Sequence, residues 1–338
     1  MKVLVTGATG FLGSWIAREI AIRGHDLRLL VRPQSRMDNL EDVPGERVLG
    51  DITDATSVGR AVAGCDAVVH AAGIARLRAG DRDRLLAANQ GGVEIVMGAA
   101  LRAGVRRALF VASAGALGGT WRPVEMDEHW VGSAETVAVD YFVSKHRGEQ
   151  AALELSRAGL PLVILRPGVV LGPGDVYHSS AGTLLMLARG AVPAYVRGGG
   201  SYCDVRDVAR AHAEALERGR DGEAYVIGGH NVELGEVARI VSRLSGVPMP
   251  PRVPYPLMLA GAALGELAAR LRGQRSSISR QLVRGARRYT FLDSSKARRE
   301  LGYSTRPLEE SVRDTLRWFL AHGDLAARTP ELRALAAS

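Results

Sequence analysis

At 338 residues the chain has room for one large domain or two small ones with an ample core. A hydrophobic content of 46% and a charged content of 24% suit a soluble globular protein, and two cysteines, Cys65 and Cys203, exclude a disulfide framework. The net charge of +8 raises the question of a nucleic-acid partner, but most arginines alternate with Asp and Glu along helical segments and aromatics are only 5%. A solvated basic surface is therefore expected, and no nucleic acid.

The opening "MKVLVTGATG" lacks a charged region followed by an apolar one, so no secretory signal is read there. The longest apolar stretch, 254–271, is interrupted by Glu266 and is not expected to span a membrane. A cytoplasmic location is the resulting expectation. "KVLVTG" (2–7) predicts a buried strand, and "FLGSWIAREIAIRG" predicts an amphipathic helix stopped at Gly24. "DLRLLVR", "ERVLGD", "DAVVHAAG", "RALFVAS" and "PLVILRPG" follow as strands, with helical patterns between most of them. Such alternation predicts right-handed crossovers and an α/β fold: a doubly wound parallel sheet covered on both faces. After Pro167, Gly- and Pro-rich loops separate helices near 180–190, 206–218, 234–245, 257–271 and 308–321, which predicts a smaller, mostly helical C-terminal region.

"TGATGFLGS" spaces Gly7, Gly10 and Gly13 as G-x-x-G-x-x-G between the first strand and the first helix. A tight turn, close approach of the backbone to a pyrophosphate and close helix–strand packing each require a residue without a side chain, and the helix N-terminus favours the anion. This context predicts a dinucleotide site. Arg32 ends the second strand, where an acidic residue would accept from a ribose 2′-OH; an arginine can instead pair with a 2′-phosphate, and Arg36 can add a second charge. NADP(H) is the preferred cofactor on this reading, with NAD(H) the alternative. Asp51, after the third strand, is a candidate acceptor for an adenine amino group, and equally a turn or helix-capping residue. Ala71, Ala72 and Gly73 end the fourth strand with small residues that let a cofactor approach, whereas His70 reads as structural.

Only three of the 44 basic residues are lysines, and one of them, Lys145, lies four positions after Tyr141. On a helix that spacing puts both on one face. A tyrosine with a pKa of about 10 is a poor proton carrier at neutral pH, and an adjacent ammonium favours its phenolate. Ser113, after the strand over 108–112, is placed to bond a substrate oxygen; Asn89 is placed to hold a water that links Lys145 to solvent. Each of these alone is more often a turn or structural residue. Their combination predicts chemistry. No metal site is predicted.

Together, TGATGFLG, GDITD, DAVVHAAG, the Asn89 segment, Ser113, Y-F-V-S-K and LRPGVVLGPGD resemble the extended short-chain dehydrogenase/reductase superfamily, over about residues 1–175. Within it the chain is most similar to the dihydroflavonol-reductase and 3β-hydroxysteroid-dehydrogenase-like branch and to hopanoid-associated sugar epimerases. The resemblance implies a Rossmann domain over 1–170, a substrate region and lid over 171–324 whose chain returns to the Rossmann core, and a loosely held tail over 325–338. It implies catalytic roles for Ser113, Tyr141 and Lys145, with Asn89 in support. Gly7, Gly10 and the backbone of Phe11 and Leu12 would hold the pyrophosphate, with Thr9, Gly13 and Ile52 also against the cofactor. Pro167 to Val170 would lie near the nicotinamide, and Tyr141 and Lys145 would touch the cofactor as well. Nucleotide-sugar dehydratases carry an Asp-Glu pair after the catalytic Ser/Thr; Ala114 and Gly115 stand there in this chain, which speaks against dehydration.

The implied activity is NADP(H)-dependent hydride transfer to or from a small-molecule ketone, aldehyde or secondary alcohol. An NAD-dependent nucleotide-sugar epimerase is the runner-up, supported by the basic stretch 270–299, and a non-catalytic dinucleotide binder is a third class. Homodimers through a two-helix face are common in the superfamily. Trp121, Trp130, Tyr177, Tyr195 and Tyr202 are candidate pocket walls. The apolar stretch 257–271 with its basic neighbour predicts a core-packing helix, or else a lid for a lipophilic substrate or a membrane-surface contact.

Overall fold

A computed structural model of the chain describes residues 1–75, 81–132, 134–274, 276 and 278–337. The strands in chain order are β1 (Lys2–Thr6), β2 (Asp26–Val31), β3 (Glu46–Leu49), β4 (Ala67–His70), β5 (Arg107–Val111) and β6 (Glu125–Met126). They continue as β7 (Leu162–Pro167), β8 (Val169–Leu171), β9 (Gly199–Asp204), β10 (Ala224–Ile227), β11 (His230–Glu233) and β12 (Tyr289–Leu292). Seven form one parallel sheet in the order β10-β7-β5-β4-β1-β2-β3. β1 pairs with β2 on one side and β4 on the other, so the winding reverses between β1 and β4. The carboxyl ends of those two strands are where an open α/β sheet leaves a crevice for a ligand.

The central strands are buried on both faces, as their continuous Val, Leu and Ala runs require. One hydrophobic cluster packs the helices Phe11–Ile22 and Val205–Arg218 on one face of the sheet. A second packs the helices Ala55–Val62 and Gly92–Ala103 on the other, together with part of the helix Asp140–Arg157.

The C-terminal region contains most of the remaining helices and a small second sheet in the order β11-β9-β12-β6, with β8 beside β9. The mostly helical expectation holds, and the added sheet rests on short strands that flank turns rather than on long alternating runs. The chain does return to the large sheet, as β10 on its edge next to β7. The tail departs from expectation: Pro330–Ala337 is a helix, and Leu332 and Leu335 are buried in the cluster that also holds Phe319 and Val241. Two leucines three residues apart give a short helix a face worth burying.

Candidate active site

The glycine turn is built as its spacing predicts. Gly7 has φ +77°, and a Cβ there would lie 2.5 Å from the backbone nitrogen of Ala72, so the turn after β1 touches the end of β4. A Cβ on Gly13 would lie 2.1 Å from the Gly7 carbonyl oxygen, which lets the helix start directly against the turn. Gly10 caps the helix Phe11–Ile22 without a side-chain hydrogen bond and with no acidic residue in the first turn. The orphan N–H groups and the positive end of the dipole face a space lined by glycine backbone, and that cradle fits a dinucleotide pyrophosphate. Phe11 packs into the core and Leu12 against it, so only their backbone is available to a ligand. The Thr9 carbonyl and the Gly174 carbonyl both accept from Asn39 Nδ2, at 3.4 and 3.0 Å, which ties the later loop to the turn.

Arg32 is exposed immediately after β2, and Asp51 follows β3 on the neighbouring strand. Arg36 is less available than expected: its Nε donates to Asp38 at 2.7 Å, which offsets its charge within the same loop. Asp51 Oδ1 accepts from the Thr53 amide at 2.9 Å and its hydroxyl at 2.8 Å, the contacts of a turn residue. The helix cap is Asp54, three residues later. Ile52 is partly buried against the second core. Val170 packs into the first core, and Pro167 ends β7 in a buried position.

Ser113, Tyr141 and Lys145 converge at the end of β5. The Tyr141 hydroxyl donates to Ser113 Oγ at 3.2 Å, which also accepts from the Gly115 amide at 3.1 Å. Ser113 therefore starts the short 3₁₀ turn Ala114–Leu117 and still keeps its own proton to offer. Lys145 is 8% exposed; its Nζ donates to the Val111 carbonyl at 3.3 Å and stands 5.7 Å from the centre of the Phe110 ring. Burial pushes the Lys145 ammonium down to about 8, against the pull of the Glu149 carboxylate one turn along the helix. Burial likewise pushes the Tyr141 phenol up, and its bond to Ser113 works the other way. The expected lowering of Tyr141 is not seen, because burial outweighs the bond to Ser113.

Asn89 lies on the π-helical turn Ala87–Gly91, and its amide clamps Ile74, accepting from the nitrogen at 2.8 Å and donating to the oxygen at 3.0 Å. It also donates to Ser144 Oγ at 2.9 Å, which in turn donates to the Tyr141 carbonyl at 2.8 Å. Both donors and one lone pair of the amide are used, so the side chain ties Ile74 to the helix Asp140–Arg157.

Around this group stand one residue read from the sequence as structural, His70, and a buried ion pair that no motif marks. His70 is fully buried, shares a 2.7 Å hydrogen bond between Nδ1 and Thr6 Oγ1, and stacks on Phe110. Burial and, second, the Lys145 charge push its pKa down to about 3, so it is neutral, as a structural residue should be. Glu149 and Arg166 form a buried ion pair at 2.7 Å, and Arg166 also donates to the Glu128 carbonyl at 3.1 Å. Glu149 continues the i, i+4 series of Tyr141 and Lys145, a signal that was available in the sequence. Of the proposed pocket walls, Trp130 packs with Ala114 and Leu117 beside the site and Tyr202 lies in the C-terminal core. Tyr177 is partly buried, Tyr195 lines a separate cavity of about 270 Å³, and Trp121 is 57% exposed under Arg288.

Residues 3–228 match the model of the "NAD dependent epimerase/dehydratase family". The chain belongs to that family. A protein of Synechocystis sp. assigned as a dihydroflavonol 4-reductase is 32% identical to it over 94% of each chain. Sterol demethylase protein B of Methylococcus capsulatus is 32% identical over 96% of this chain and 99% of its own. Among solved structures, a nucleoside-diphosphate-sugar epimerase from Pseudomonas aeruginosa is 31% identical and superposes with a TM-score of 0.79, covering 96% of this chain and 99% of that one. A nicotinamide-dinucleotide enzyme of the extended short-chain dehydrogenase/reductase type is thereby established, and the relatives of this family member include named reductases.

Proposed function

We propose that the protein is an NADP(H)-dependent reductase/dehydrogenase of a lipophilic ketone or secondary alcohol, acting in the cytoplasm. The observation that carries this reading is the convergence of Tyr141 and Ser113 on one hydrogen bond, above a buried Lys145 and next to a glycine cradle. When bound, the nicotinamide supplies or takes the hydride. Tyr141 hands its proton to the carbonyl oxygen in reduction and receives it in oxidation. Ser113, already accepting from Gly115 and Tyr141, turns its own O–H to the same oxygen and steadies the charge that develops there. Lys145 keeps a positive charge near the pair, which favours the Tyr141 phenolate left once its proton has gone to the substrate. Asn89 and Ser144 hold the helix at the distance these contacts need.

Arg32 supports NADP(H): it is exposed at the end of β2, and among the described residues no carboxylate is paired with it. The likeness to sterol demethylase protein B supports an apolar substrate. The structure of a nucleoside-diphosphate-sugar epimerase among the neighbours favours one second reading, epimerisation with the hydride returned to the substrate. A thermal-shift comparison of NADPH with NADH, followed by a carbonyl panel including steroid and polyprenoid ketones, separates the two. Larger stabilisation by NADPH and net NADPH oxidation support the reductase. Tightly retained NAD with no net oxidation of either cofactor rejects it.

A further inference from the structure

The helix Tyr255–Leu271 buries almost nothing. Of its 17 residues only Ala262 is buried, while Leu257, Leu264, Leu267 and Leu271 are 63%, 68%, 55% and 80% exposed. The core-packing expectation for this stretch is therefore overturned. Besides Pro256, Gly265 and Arg270, the exposed residues 257, 260, 261, 264, 267, 268 and 271 follow a helical repeat and form one stripe of leucine, alanine and glycine. The helix's carboxylate, Glu266, is turned the other way, accepting from the backbone and Nε of Arg280, each at 2.7 Å. A helix in contact with water would present the opposite arrangement.

Charge identifies what meets this stripe. Between positions 252 and 288 the sequence has eight arginines and a single acid, Glu266, which is already bound to Arg280. Arg252, Arg270 and Arg272 are exposed at the ends of the helix; Arg275 lies outside the described residues. An apolar stripe rimmed by cations matches a bilayer surface with anionic headgroups, leucines in the acyl boundary and guanidiniums among phosphates. A second copy of the chain fits less well, since a twofold contact through this helix would set the same arginines against one another. Seventeen residues rise about 25 Å as a helix, short of the roughly 30 Å hydrocarbon core. No helix of the described residues is long and apolar enough to cross a membrane.

We propose that Tyr255–Leu271 docks the protein in plane onto an anionic membrane surface. The opposite face of the helix rests on Arg280–Ala286, whose Gln281 accepts from the Asp140 amide at 3.2 Å, next to Tyr141, so one short helix links the docked helix to the start of Asp140–Arg157. The test does not depend on turnover. The full-length protein is floated with vesicles of phosphatidylcholine alone or mixed with phosphatidylglycerol, at low and high salt, beside the variant Leu264→Glu/Leu267→Glu. Wild type is expected to float with the anionic vesicles at low salt, and at least about tenfold less with neutral vesicles or at high salt. The double variant is expected to lose at least about tenfold in vesicle binding while keeping its melting temperature and cofactor binding. The proposal fails if wild type stays in solution with anionic vesicles at low salt, or if the variant floats equally well. It also fails if sedimentation shows a wild-type dimer that the variant dissociates without any vesicle binding.

Discussion

Two helices of nearly equal length, Asp140–Arg157 with 18 residues and Tyr255–Leu271 with 17, behave oppositely. The first is rich in charge yet buries eight residues, among them Lys145 and Glu149; the second is almost wholly apolar yet buries only Ala262. Burial here follows what neighbouring elements require rather than the hydropathy of the segment. Lys145 and Glu149 are inside because partners await them, in the Val111 carbonyl and Arg166. Leu257, Leu264, Leu267 and Leu271 of the second helix are exposed and find no such cover among the described residues.

Substitutions sharpen that contrast. Lys145→Met should keep the fold, since it removes a buried charge and fills similar volume, while lowering kcat about 10²- to 10⁴-fold in a steady-state assay. Equal loss of activity and melting temperature would mean that Lys145 is structural. Glu149→Gln leaves Arg166 buried without its carboxylate and should cost about 3–5 kcal/mol in denaturant unfolding. Leu264→Ala, on the exposed helix, should stay within about 0.5 kcal/mol of wild type. Similar values for the two would erase the distinction between the helices.

The pH profile probes the buried helix alone. Lys145 is held at about 8, below its ordinary value, so its ammonium is present below that pH and lost above it. In the reducing direction kcat/KM should be level up to about pH 8 and fall by about tenfold per unit beyond. Tyr141, pushed up by burial, remains protonated through this range and does not set the limb. A profile level through pH 9.5 would contradict the placement of Lys145 at about 8.

Much of this site was legible before folding. The glycine spacing, the small residues Ala71 and Ala72, and the Tyr141–Lys145 interval are local patterns whose geometry follows from one strand, one turn or one helix. What the sequence hides is pairing between distant segments. Glu149 with Arg166, Asn89 with Ile74 and Ser144, and Asn39 with Gly174 depend on which loops the sheet order brings together. Arg36 and Asp51 differ: their contacts, to Asp38 and Thr53, are local, two residues away in each case. For the exposed helix the sequence leaves core packing and an outside contact both open, because hydropathy records that a stripe needs cover without saying where the cover lies.

Transfer of label tests the central claim most directly. With NADPH deuterated at the transferable C4 position and a ketone that is turned over, the deuterium should appear on the carbinol carbon of the product, one per NADPH oxidised. Tyr141→Phe should bind NADPH as wild type does and form labelled product about 10²- to 10⁴-fold more slowly. Product lacking the label, or full activity in the Tyr141→Phe variant, would contradict a reductase whose proton comes from Tyr141.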